Sequence, residues 1–218
     1  MASWPTGIGA ITLFVTASAI PAATSGRSRT SLQAVNEQTR AVVLVEGISD
    51  RVALETLAQR RGRDLEAEGI SVVPIGGAQA VGRFLSELGP QGRNLRLAGL
   101  CDAGEERDFR RGLERAGLGS PVTRTEMERL GFYVCVADLE DELIRALGAA
   151  AVEQILDDQR ELRSFRTYQK QPAHQRRTKE QQLHGFMWNR KIRYARLLVD
   201  ALDLTRVPRP LDLVLAHV

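Results

Sequence analysis

Residues 41–50 read Ala41-Val42-Val43-Leu44-Val45-Glu46-Gly47-Ile48-Ser49-Asp50, and this stretch decides the architecture. Five consecutive apolar residues, mostly valine and with no polar alternation, mark a strand covered on both faces, as strands of parallel sheets are. An acid ends the strand, a glycine permits a sharp turn, and an aspartate opens the segment that follows. From Ser49 to Glu68 the spacing is helical, with Val52, Leu54, Leu57, Ala58 and Leu65 on the apolar side.

Working outward, the same unit recurs. Ile70 to Ile75 (ISVVPI) is a second strand, closed by Gly76-Gly77 and followed by a helix from Ala78 to Leu88. Leu95 to Leu100 is a third strand, Glu105 to Ala116 a third helix, and Gly131 to Ala137 a fourth strand. This alternation predicts an α/β fold, Rossmann-like, with a mostly parallel four-stranded sheet flanked by helices and right-handed crossovers. Beyond Asp138 the strands stop. Helices are expected over Glu140 to Leu147, Ala150 to Arg166, Lys191 to Leu202 and Leu211 to Val218, with a mobile loop from Thr167 to Asn189. The chain thus divides into a poorly ordered N-terminal extension (1–39), an α/β domain (40–148) and a basic helical C-terminal extension (149–218).

The 218 residues suit one α/β domain with a helical appendage, and 43% hydrophobic with only 5% aromatic residues predicts an aliphatic core. Between Gln159 and Arg196 lie eleven basic residues against two acids, Glu161 and Glu180, although the whole chain carries only +3. The remainder is therefore net acidic. Such a division suits a binder of phosphate backbone that also holds cations on carboxylates, although a charge run taken alone is better explained by a solvated helix face. Cys101 and Cys135 sit in apolar runs without metal-ligand spacing and read as small buried hydrophobes of a reducing, cytoplasmic compartment. The apolar stretch Ile8 to Ala19 has no basic residue before it and is too short and too rich in Gly, Thr and Ser to span a bilayer, so no membrane partner is expected.

In an open parallel sheet, ligands bind beyond the carboxyl ends of the strands. Glu46 ends the first strand, with Asp50 in the next turn. Asp102 follows the third strand, and Asp138 and Glu140 follow the fourth. Arg51, next to Asp50, is the one basic residue immediately beside them in the sequence. Acids crowded on one edge repel one another unless divalent cations lie between them, and oxygen-only donors select Mg²⁺ or Mn²⁺. Each has a plainer reading: Asp50 as a helix cap, Asp138 and Glu140 as charge at a helix start. Asp141 and Glu142 are left to that plainer role. His174, His184 and His217 show no ligand spacing and read as surface residues. Trp188 reads as core or interface, with base stacking the sharper alternative.

Together these residues resemble a known family. Leu44-Val45-Glu46-Gly47-Ile48-Ser49-Asp50 looks like the glutamate motif of Toprim domains, and Leu100-Cys101-Asp102-Ala103-Gly104 stands where those domains carry DxD. Leu139-Glu140-Asp141-Glu142-Leu143 is similar to the Leu-Glu-x-x-Leu segment of the OLD (overcoming lysogenization defect) nucleases. Lys191 with Ala195 and Leu198 resembles their late lysine motif. The resemblance runs from Arg40 to Val218. It implies a Toprim fold and a Mg²⁺-dependent DNA endonuclease that hydrolyses phosphodiester bonds with two Mg²⁺ (or Mn²⁺) ions. Glu46, Asp50, Asp138 and Glu140 would hold one ion and Asp102 the second. Glu46, Asp102 and Lys191 would be catalytic, and Arg176, Arg177, Lys179, Arg190 and Arg193 would contact DNA.

Two departures qualify it. Gly104 replaces the second acid of DxD, so either Glu105 substitutes or water completes the second ion's shell. No GxxxxGK(S/T) motif occurs, so the chain is expected to be a truncated or stand-alone relative, or to work with a separate ATPase subunit. The competing readings are a non-catalytic, degenerate Toprim DNA-binding module acting with such an ATPase, and a primase-like nucleotidyltransferase. A topoisomerase is disfavoured, since no tyrosine is suitably placed and the gate domains would not fit.

Overall fold

The structure, a computed structural model, describes residues 35–218; the expected N-terminal extension, apart from 35–39, lies outside the described residues. Four strands, β1 (Ala41–Val45), β2 (Ile70–Pro74), β3 (Arg96–Cys101) and β4 (Phe132–Val134), form one sheet in the order β2-β1-β3-β4. All three pairings are parallel, and Ala41 aligns with Ile70 on one side and Arg96 on the other. β2 lies on the outer side of β1 and β4 on the outer side of β3, so the connection leaving β1 and that leaving β3 run in opposite directions. That reversal opens a crevice at the carboxyl ends of β1 and β3.

The apolar run of β1 is continuous because it is used on both faces. Val43 and Val45 pack into one cluster with Leu54, Leu57, Leu143, Leu198 and Leu211. Val42 and Leu44 point the other way, among Phe84, Leu85, Phe109 and Leu113. Successive side chains of a strand alternate between faces, and here both faces are covered by helices. The second layer comes from α2 (Val81–Leu88) and α3 (Glu106–Arg115), the first from α1 (Ile48–Arg60), α5 (Leu139–Leu147), α9 (Lys191–Ala201) and α10 (Arg209–His217). Gly99 lets the β4 side chain Phe132 lie against β3: a Cβ there would stand 2.6 Å from the Phe132 ring and 3.2 Å from the Leu44 carbonyl oxygen.

Several elements depart from expectation. The segment Ala150 to Arg166 is two helices, α6 (Ala149–Asp158) and α7 (Leu162–Gln169), broken at Arg160, whose φ is 59°. The segment read as a mobile loop contains α8 (Lys179–Met187). Its start is set by a capping box in which Thr178 Oγ1 accepts from the Gln181 amide, and it is anchored by the buried Leu183 and Met187. A short helix α4 (Arg124–Arg129), capped likewise by Thr123 and Glu126, precedes β4.

The C-terminal helices are fastened to the end of α1 by arginines. Arg60 Nη1 donates to the carbonyls of Val199 and Leu202, each at 2.7 Å, satisfying the last turn of α9. Arg63 Nη1 and Nη2 donate to the carbonyls of Leu215 and Val218 at the end of α10, at 2.5 and 3.1 Å, and Arg61 pairs with Asp212 at 2.6 Å. No helix among the described residues is long and apolar enough to cross a membrane.

Candidate metal centre

The acids expected at the strand ends converge on the crevice. Glu46 follows β1 and its carbonyl accepts from the Gly76 amide at 3.1 Å. Asp50, one turn into α1, bends back so that Oδ2 accepts from the Gly47 amide at 2.8 Å. Its capping role is therefore real, and it still faces the other acids: burial, the neighbouring Glu140 and Glu46 push its pKa up to about 7 against the Gly47 hydrogen bond. Asp102 follows β3, which β4 holds in place through the Cys135 amide to the Cys101 carbonyl at 2.9 Å and the Ala103 amide to the Ala137 carbonyl at 3.0 Å. Burial, then Glu46, Asp50, Asp138 and Glu140 in that order, raise the Asp102 pKa to about 8. All five acids therefore feel one another.

Asp138 caps α5, its Oδ1 accepting from the Asp141 amide at 2.8 Å, while Oδ2 lies 2.6 Å from His184 Nε2. Burial opposes the Asp138 charge, but the hydrogen bonds from His184 and Asp141 outweigh it, and the pKa falls below the ordinary value. Glu140 is only 4% exposed. Its Oε2 accepts from Lys191 Nζ at 3.0 Å, and its Oε1 is buried with no hydrogen-bond partner. A buried carboxylate oxygen without a donor costs free energy, and a cation is the group that would satisfy it. Asp138, Glu140 and His184 each offer a ligand atom, all within 4.8 Å of one another. The donor set thus fits a divalent ion.

Position 104 faces open space, and the acid next to it is Glu105, at the end of the turn Ala103–Glu105. Its carboxyl is raised to about 8 by burial and by a shared hydrogen bond with Glu46, and its Oε2 is buried without a partner. Asp141 and Glu142 stand apart from the centre: Arg145 pairs with both, and Glu142 Oε1 accepts from the Val136 amide at 2.7 Å.

Residues 39–98 match the family model described as "Overcoming lysogenization defect protein-like, TOPRIM domain", a span that includes Glu46 and Asp50. The matched stretch thus resembles an OLD-like Toprim domain over 60 of the 218 residues. Solved structures agree in fold. The C-terminal region of the Xanthomonas campestris pv. campestris OLD protein superposes with a TM-score of 0.66 at 23% identity, over 82% of this chain and 91% of that one. The corresponding region of the Burkholderia pseudomallei OLD protein gives 0.62 at 19% identity, over 82% and 96%. No curated protein matches the sequence. An OLD-like Toprim domain suggests a nucleic-acid-related, metal-binding function.

The basic segment is less free than its composition implies. Arg190 and Arg193 both pair with Glu161, and Arg193 Nη2 also donates to Gln159 at 2.6 Å. Lys179 and Arg166 share Glu153. Arg176 and Arg177 are exposed and form no ion pair among the described residues. Two residues that sequence reasoning underrated belong to the centre. Glu105 was weighed only as a substitute, and His184 was read as surface. The Thr178-x-x-Gln181 capping box was the signal that could have placed His184 on a helix. Trp188 is 55% exposed, its ring 5.8 Å from that of His184 and 4.1 Å from Lys191 Nζ, so it lies beside the centre and not in the core.

Proposed function

We propose that this chain is a divalent-metal-dependent endonuclease that hydrolyses DNA phosphodiester bonds at the Toprim crevice. The observation that carries the reading is Glu140: a buried carboxylate with one oxygen on Lys191 and the other without a donor, among four further acids. Such a cluster is repulsive by itself and becomes favourable around cations. Glu46, Asp50, Asp138 and Glu140 would hold one ion, and Asp102 with Glu105 a second. Bound ions would supply charge for the attacking water and the leaving oxygen of an in-line displacement.

The protein's own groups do the rest. Glu46 and Asp102 directly follow β1 and β3, Asp50 and Glu140 stand in the first turns of α1 and α5, and Asp138 caps α5, so regular elements hold the acids. Lys191 stands on the N-terminal turn of α9 with its pKa raised: burial works against the charge, but Glu140 and Asp138 outweigh it. It remains an ammonium and can stabilise negative charge gathering on a phosphoryl oxygen. Arg176 and Arg177, which have no acidic partner among the described residues, are the side chains best able to take backbone phosphates.

The test is incubation of the purified protein with supercoiled plasmid and Mg²⁺, Mn²⁺ or EDTA, alongside Glu46→Gln. Nicking or cleavage that requires metal and is lost in the variant is the expected result. Salt-sensitive DNA binding with no cleavage under any metal would overturn the nuclease reading in favour of a degenerate binding module.

A further inference from the structure

The Toprim acids explain the oxygen donors of the centre. They leave unexplained why a histidine lies among them. His184 comes from α8, outside the parallel-sheet region, and reaches Asp138 across 46 residues of sequence. Its helix is positioned by the Thr178 cap and by Leu183 and Met187, both fully buried, so the imidazole is presented from a rigid element. The Trp188 ring lies alongside it, tilted by 51°.

Resting on the metal-centre reading above, we propose that His184 is itself a metal ligand, making this centre a mixed nitrogen–oxygen site that prefers Mn²⁺ to Mg²⁺. Three observations converge. Asp138 Oδ1 is occupied by the Asp141 amide, so the oxygen left for an ion is Oδ2, the one beside His184 Nε2 at 2.6 Å. Glu140 Oε2 is occupied by Lys191, while the same carboxylate keeps a buried oxygen without a partner. The donor atoms of Asp138, Glu140 and His184 lie within 4.8 Å of one another. In an octahedron with bonds of roughly 2.1 Å, adjacent donors stand about 3 Å apart and opposite ones about 4.2 Å, so all three fit one coordination sphere after shifts of a few tenths of an ångström.

The chemistry then sets the preference. Mg²⁺ favours oxygen ligands and retains its waters, whereas imidazole suits the first-row transition metals, whose affinities rise from Mn²⁺ onward. One nitrogen donor in an otherwise carboxylate centre tilts it towards Mn²⁺ while leaving Mg²⁺ able to bind.

The experiment uses the full chain, with the wild type, His184→Gln, Glu46→Gln and Glu140→Gln compared at equal helicity by circular dichroism. Mn²⁺ is titrated by electron paramagnetic resonance, electron spin-echo spectra of the bound ion are recorded, and Mg²⁺ affinity is read by competition. The expected result is a ¹⁴N coupling in the wild type that disappears in His184→Gln. Mn²⁺ affinity should fall at least about tenfold and Mg²⁺ affinity by less. If Mn²⁺ binds, Glu46→Gln and Glu140→Gln weaken it, and no nitrogen coupling is seen, His184 is only a hydrogen-bond partner of Asp138. The inference then fails while the metal centre stands. If Mn²⁺ does not bind the wild type, both fail.

Discussion

Lys191 Nζ lies 3.0 Å from Glu140 Oε2, joining the first turn of α9 to the first turn of α5 across 51 residues. The pair puts an ammonium against a carboxylate that is only 4% exposed. Neither residue is optimally placed for stability alone, because a buried carboxylate paired on only one oxygen is at best neutral for folding.

Replacing Lys191 by methionine keeps the length of the side chain and removes its charge. Cleavage by Lys191→Met is expected to fall by about 10²–10³ if the ammonium stabilises the transition state. Mn²⁺ affinity should hold or rise, since a competing cation has been removed. Plasmid cleavage rates and a Mn²⁺ titration on the same preparation check this, and an equal loss in both would contradict the role.

The pH dependence of the metal-free protein follows from the raised carboxyls. Asp50 titrates at about 7, and Asp102 and Glu105 at about 8, when folded. Unfolded carboxyls titrate near ~4, so the folded chain holds these protons more tightly. Their stabilising contribution is complete below about pH 4 and is lost as pH rises through 7 to 8. In EDTA the protein should melt at a lower temperature at about pH 8.5 than at about pH 6, and saturating Mn²⁺ should raise the melting temperature most at the higher pH. Differential scanning fluorimetry at both pH values, with and without metal, measures it. A higher melting temperature at the alkaline pH in EDTA would count against mutual repulsion among these acids.

Most of the fold is legible in the sequence because a strand buried on both faces must be a continuous apolar run, and Ala41 to Val45 is one. The acids at strand ends are legible for the same reason, since a parallel sheet sends every carboxyl end to one edge. His184 is not. Its partner Asp138 lies 46 residues away, and no local spacing encodes a contact between a strand end and a later helix. α8 was hidden by a polar, basic composition interrupted by Gly185. Composition counts charges without their partners, so it does not show that Glu153, outside the basic run, and Glu161, within it, occupy four of the basic side chains.

Those partners separate two kinds of arginine. Alanine at both Arg176 and Arg177 should weaken DNA binding evenly across sequences and lower the salt slope by about 2. Alanine at Arg190 and Arg193 should lower the slope less and reduce stability instead, since it strips Glu161 of its cations. Fluorescence anisotropy over a salt series, with thermal melts, distinguishes the two; equal slopes would refute the division.

Two packing variants test the scaffold. Gly99→Ala places a methyl 2.6 Å from the Phe132 ring and is expected to cost about 1–3 kcal/mol in urea denaturation. Arg60→Met removes two charged hydrogen bonds from the end of α9 and should cost about 2 kcal/mol. In the second variant, amide exchange should quicken in the last turn of α9 before it does in β1. Uniform acceleration would place the effect elsewhere.

The Arg60 clasp also bears on when the centre comes into being. Arg60 is synthesised close to Glu46 and Asp50, but its acceptors at Val199 and Leu202 follow 139 and 142 residues later, just after Lys191. Until that helix docks, the nascent chain has gathered acids with neither the lysine nor the histidine beside them. The cluster is therefore complete only once α9 has docked, and a chain in which it has not carries the acids without their lysine.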